Sequence, residues 1–168
     1  VTLTSGTTEN YDRAGNQTDD STLSYSNLTI SGSGTKTLGG NTTITGTVTV
    51  TAGTLSPGGY TLTGSGANTL SVTGIILVDQ STFAGSYVSF ETRTVTSGTV
   101  SYTADAATTI DNTLTYYNLT VGNATLTAAR TYTLGGNTTV TNYCTIGPAT
   151  NYTATLDPAT YTLTLSLS

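Results

Sequence analysis

Groups able to do acid–base or nucleophilic chemistry are sparse in this chain of 168 residues. The acids are Glu9, Asp12, Asp19, Asp20, Asp79, Glu91, Asp105, Asp111 and Asp157. The bases are Arg13, Lys36, Arg93 and Arg130; the one thiol is Cys144, and histidine is absent. Without His and with a single Cys, neither a Ser–His–Asp nor a Cys–His nucleophile can be assembled. A glycosidase or polysaccharide lyase would need converging carboxylates with a base at hand. Only Asp79 and Glu91 lie near such a base, Arg93, along the chain. The expectation is a protein that is not an enzyme and carries no cofactor.

Metal chemistry is poorly supplied too. Zinc wants thiolate and imidazole ligands. The segment "DRAGNQTDD" (12–20) gathers Asp12, Asn16, Asp19 and Asp20, but its spacing is that of neither an EF-hand nor a calcium-binding nonapeptide repeat. A solvated loop is the expectation there, and no metal site is assigned. "LGGN", which occurs twice, is no phosphate loop, because no Lys–Ser/Thr pair and no helix follow it. It reads instead as a tight corner, with glycines at positive φ and Asn opening the next strand.

Charged residues make up 8% of the chain and sum to −5. With four bases no basic patch can form, so neither nucleic acid nor an anionic membrane surface is an expected partner. The uncharged stretch from Thr37 to Val78 is too polar to insert into a membrane. Cys144 reads as a small apolar core residue. N-x-S/T sequons stand at Asn16, Asn27, Asn41, Asn118, Asn123, Asn137 and Asn151 and are candidate glycosylation sites in an exported protein.

What must position these residues is almost entirely β-structure. Thr is the commonest residue, Tyr numbers 11 and Gly 19, and Met and Trp are absent; this composition favours strands over helices. The chain also repeats itself. "TLSYSNLTI" (22–30) returns as "TLTYYNLTV" (113–121), "TLGGNTTI" (37–44) as "TLGGNTTV" (133–140), and "YTLTGS" (60–65) as "YTLTLS" (161–166). Two homologous halves follow, near 22–66 and 113–166, within a single domain spanning 1–168. Within them, apolar-x-apolar pairs recur: Leu28/Ile30, Val48/Val50 and Leu70/Val72. They are roughly twenty residues apart and separated by Gly-rich corners. A β-solenoid (β-helix) of short strands in coils of that length accounts for the repeat. An antiparallel β-sandwich is the alternative. Residues 1–21 read as an N-terminal strand "VTLT" followed by a cap, loop or linker. "IILV" (75–78) reads as core, and "TYYNL" (115–119) as one Tyr inward and one outward. Thr-x-Thr triplets suggest hydroxyl ladders of the kind that ice-binding proteins carry. The drift of the repeat offset argues against a long flat one.

The stretch "YSNLTISGSGTKTLGGNTTITGTVTVTAGTLSPGGYTLTGSG" (25–66), with its looser copy at 113–166, resembles repeat units of secreted microbial adhesin-like, filamentous-haemagglutinin-like surface proteins. The resemblance implies a β-solenoid in an extracellular, cell-surface setting; it does not imply any particular ligand. Such proteins run to many coils.

The C-terminal "YTLTLSLS" is strand-like and uncharged, the sort of edge that natural sheets usually protect. A chain opening on Val1 is expected to be processed or excised. The economical expectation is a subunit of a surface filament assembled head to tail, the chain itself being the partner. The residues expected at that interface are Val1, Leu3, Tyr161, Leu163, Leu165 and Leu167. The alternative is an adhesin-like module that binds glycans or surfaces, or less favourably ice.

Overall fold

The computed structural model describes residues 5–147 and 151–166. The expected strand "VTLT" and the last two residues of "YTLTLSLS" lie outside these residues, and so do the expected contacts Val1, Leu3 and Leu167. The described chain is a β-solenoid of about 7 turns. Every ladder between its strands is parallel.

Each turn places strands on three faces. The first turn holds β1 (Thr8–Tyr11), β2 (Gln17–Thr18) and an isolated bridge at Tyr25. Next come β3 (Asn27–Ile30), β4 (Thr35–Thr37) and β5 (Thr42–Ile44), then β6 (Thr47–Val50), β7 (Thr54–Ser56) and β8 (Leu62–Gly64). The fourth turn is β9 (Thr69–Val72), β10 (Ile75–Val78), the one-turn helix α1 (Phe83–Ser86) and β11 (Tyr87–Val88). β12 (Thr92–Val95), β13 (Thr99–Tyr102) and β14 (Thr108–Ile110) make the fifth. Beyond it, β15 (Thr115–Val121) and β17 (Thr138–Ile146) each run across two faces, bent by a register shift between Tyr116 and Asn118. β16 (Arg130–Leu134) and β18 (Ala154–Asp157) fill the remaining face, and β19 (Leu163–Leu165) lies on the first half of β17.

Period-two alternation explains the core. Leu28, Val48 and Leu70 stack in register, as do Ile30, Val50 and Val72, and all six are buried. A second column runs Gln17, Lys36, Leu55, Ile76, Val100, Leu119, Cys144. It begins polar and becomes apolar. "IILV" alternates as expected of a one-sided strand, with Ile76 and Val78 buried and Ile75 exposed. Of the tyrosine pair, Tyr116 is buried and Tyr117 half-buried.

The "LGGN" corners depart from expectation. Their glycines do not adopt positive φ. A Cβ on Gly39 would sit 2.6 Å from the Asp19 carbonyl oxygen, and one on Gly135 2.8 Å from that of Ile110. Glycine is required there because the neighbouring turn passes too close for a side chain. Within residues 5–21, Thr8–Tyr11 and Gln17–Thr18 supply two strands of the first turn.

The two halves correspond strand for strand. Tyr11 and Ile30 pair across β1 and β3, as Tyr102 and Val121 do across β13 and β15. Between the copies, β9 to β12 supply four strands where one turn holds three. The second copy is therefore rotated by one face: "NLTI" lies in the sheet β1-β3-β6-β9-β12, and "NLTV" in the sheet containing β13, β15 and β17. Among the described residues no helix is long and apolar enough to cross a membrane.

Candidate functional site

Many of the bonded polar side chains join one turn to the next. In the first turn, the Asp20 N–H points at the Tyr11 hydroxyl (3.4 Å), which lies 3.1 Å from that of Tyr25; Tyr25 donates to the Asp20 carbonyl (2.9 Å). Thr22 donates to the Asp20 carboxylate through both its N–H and its hydroxyl. The second copy repeats every contact. The Asp111 N–H donates to Tyr102 (3.0 Å), Tyr102 and Tyr116 are 2.8 Å apart, Tyr116 donates to the Asp111 carbonyl (2.6 Å), and Thr113 binds the Asp111 carboxylate twice. Each hydroxyl gives one hydrogen and accepts one, so the loop is closed and satisfied. Burial raises the pKa of Tyr25, Tyr102 and Tyr116 above the ordinary value, so all three stay neutral donors. Sequence reading missed this cluster, although the shared order Tyr-x₈-Asp-x-Thr-x₂-Tyr of 11–25 and 102–116 carries it.

Lys36 occupies an inward position and is 2% exposed. Its ammonium donates to the carbonyls of Arg13 (2.8 Å), Gly15 (2.6 Å) and Ser33 (2.7 Å). It ties the 12–16 loop over the first turns, with no salt bridge found for it among the described residues.

The "DRAGNQTDD" oxygens do not converge. Asn16 accepts from the Thr35 N–H, Asp19 from Gly39 and Thr42, and Asp20 from Thr22. No group of three metal-ligating His, Cys, Asp or Glu occurs among the described residues. Arg93, which sequence proximity placed near Asp79 and Glu91, instead pairs with Asp111 at 2.7 Å and lies over the Phe83 ring. Asp79 accepts from the Gly59 N–H and the Ser86 hydroxyl. Glu91 is the one carboxylate lining a shallow cleft with Gly64, Gly66, Ser89 and Phe90. Asp105 pairs with Arg130 at 2.7 Å, and that hydrogen bond, aided by Thr127, lowers its pKa to about 2.

The sequons divide by what their side chains do. Asn27 donates to the Gly6 and Thr7 carbonyls, Asn118 is buried and donates to Thr99, and Asn123 donates to the Thr103 carbonyl. Asn16, Asn41, Asn137 and Asn151 are exposed. Asn41 and Asn137 accept from the N–H of Thr61 and Thr162 on the following turn. Asparagine at these corners therefore serves as an inter-turn acceptor, a structural reason for the sequon-rich composition.

Of the expected interface residues that are described, Tyr161 and Leu165 are exposed and Leu163 is half-buried. Tyr143, Ile146 and Tyr152 are exposed on the same last turn. Cys144 is half-buried on its edge, packed against the core, and burial raises its thiol pKa. The strand itself is shorter than "YTLTLSLS" suggested, covering Leu163–Leu165 of the described residues.

Comparison with family models, with curated proteins and with solved structures returned no match to this chain.

Proposed function

We propose that the protein is an extracellular structural element, a stiff solenoid rod of a microbial surface that associates end to end with further copies of itself. The observation that carries this reading is the contrast between the two copies of the repeat. Val50, on β6, is buried beneath the next turn, whereas its counterpart Ile146, on β17, is 53% exposed. Leu165, on β19 over the first half of β17, is 51% exposed. A further turn laid on β17, β18 and β19 would cover both residues and satisfy the edge amides. The first turn of a second copy offers parallel strands at matching positions. A contact of this heterologous kind does not close, and so it yields a fibre. Glu9 and Asp19 stand in that first turn where the second copy has Val100 and Ile110. The junction would bury the Asp19 carboxyl, whose pKa burial already raises, so it should tighten as the pH falls and that group takes up its proton.

The reading also draws on the adhesin-like resemblance of residues 25–66 and on a chain of which 8% of residues are charged. Negative-stain microscopy and light scattering of the 168-residue chain at high concentration provide the test. Fibres or end-to-end rods, abolished by Ile146→Lys, support the assignment. A monodisperse monomer across neutral and acidic pH refutes it.

A further inference from the structure

The outward side of the sheet β1-β3-β6-β9-β12 carries a two-column array. One column is Thr8, Asn27, Thr47, Thr69, Thr92; the other is Asn10, Thr29, Thr49, Ser71, Thr94. Each column is in strict parallel register. The turn length grows along this sheet, from 19 residues between Thr8 and Asn27 to 23 between Thr69 and Thr92, yet no register shift breaks the ladder. The corners and α1 absorb the extra residues. The drift that argued against a flat hydroxyl face therefore leaves this sheet in step.

Three properties of the array bear on its use. It contains no charged and no aromatic side chain. The hydroxyls of Thr47, Thr49, Thr69, Ser71, Thr92 and Thr94 have no partner among the described residues, in contrast to Thr51 and Thr73 at the corners, which donate to the carbonyls of Ile30 and Val50. β-Branching restricts each Thr at χ1, and its flanking strands hold it further. Rows about 4.8 Å apart and columns about 6.6 Å apart follow from strand geometry alone.

A single Thr hydroxyl gains little by exchanging one water for another partner. A rigid array gains only when many contacts are made at once, and that requires a partner that is itself periodic. Absence of charge excludes an ionic mineral or a polyelectrolyte. A crystalline polysaccharide is gripped through aromatic faces stacked on sugar rings, and the array has none. We propose that this face binds the ordered water lattice of an ice surface, through hydroxyls that join the lattice and methyl groups that sit against it. This function is independent of end-to-end association and concerns a different surface.

The test is ice-recrystallisation inhibition together with partition of the intact chain into slowly growing ice. The comparison is between wild type, Thr49→Tyr in the centre of the array, and Thr43→Tyr on the outward side of β5 as control. Folding of each is checked by circular dichroism. Inhibition by wild type and Thr43→Tyr with loss in Thr49→Tyr supports the proposal. Three results overturn it: no inhibition by wild type, equal activity in both variants, or retention on crystalline cellulose or chitin without partition into ice.

Discussion

Removing the same hydroxyl from equivalent tyrosines of the two copies should cost different amounts. In Tyr116→Phe the Asp111 carbonyl loses a 2.6 Å bond, and the Tyr102 hydroxyl loses the acceptor 2.8 Å away. Both tyrosines are fully buried, so water cannot substitute at the Tyr102 hydroxyl, and the Asp111 carbonyl belongs to a half-buried residue. An unsatisfied buried group costs about 1–3 kcal/mol, and partial relaxation of the two groups gives about 2–4 kcal/mol in all. In Tyr25→Phe the same two bonds are lost, to the Asp20 carbonyl and the Tyr11 hydroxyl. Tyr11 is only half-buried and Asp20 is exposed, so solvent can take over both roles. The expected cost falls to about 1 kcal/mol, the net value of an ordinary exchangeable hydrogen bond. Urea unfolding followed by far-ultraviolet circular dichroism measures both. Amide exchange at Asp20 and Asp111 localises any partial opening, which solenoids permit. Equal costs, or a larger loss at Tyr25, would refute the argument that burial sets the energy of this cluster.

Two further outcomes are expected. Lys36→Met should destabilise the first turns by about 2–4 kcal/mol, because three carbonyls lose a charged donor and the gain from burying a thioether does not replace it; proteolysis within residues 12–16 should accelerate, and an unchanged or higher urea midpoint would contradict the role given to Lys36. Asp105 has a folded pKa of about 2 against an ordinary 3.8, so its pairing with Arg130 favours folding above that ordinary value and is lost as the pH falls towards the lower one; Asp105→Asn should flatten the pH dependence of the urea midpoint in that window alone.

Much of the architecture was legible in the residues. Pairs such as Val48/Val50 and Leu70/Val72 announce strands that bury one side, and the recurrence of "TLGGNTT" announces stacked coils. Three features were not legible, each for a physical reason. Lys36 lies inward because carbonyls from two loops converge on it, and nothing local in "TKT" encodes that convergence. The glycines of "LGGN" look like positive-φ residues, but they answer to a neighbouring turn that the linear sequence does not show. Arg93 passes over nearby Asp79 and Glu91 because β12 is stacked so that Asp111, a turn further on, faces it. For the candidate surfaces, the Thr-x-Thr pattern was visible, but its unbroken register depends on corners lengthening while strands stay aligned. On the last turn Leu165 is exposed and Leu163 half-buried, and the exposed Ile146 stays hidden in "NYCTI" behind a polar start.

The four-strand segment between the copies makes the duplication a screw rather than a simple translation. Identical sequence emerges on a different side of the rod, displaced by a third of a revolution. Were that spacing kept from unit to unit, a given patch would face three directions in turn around the axis, and such an array could meet a surface on more than one side.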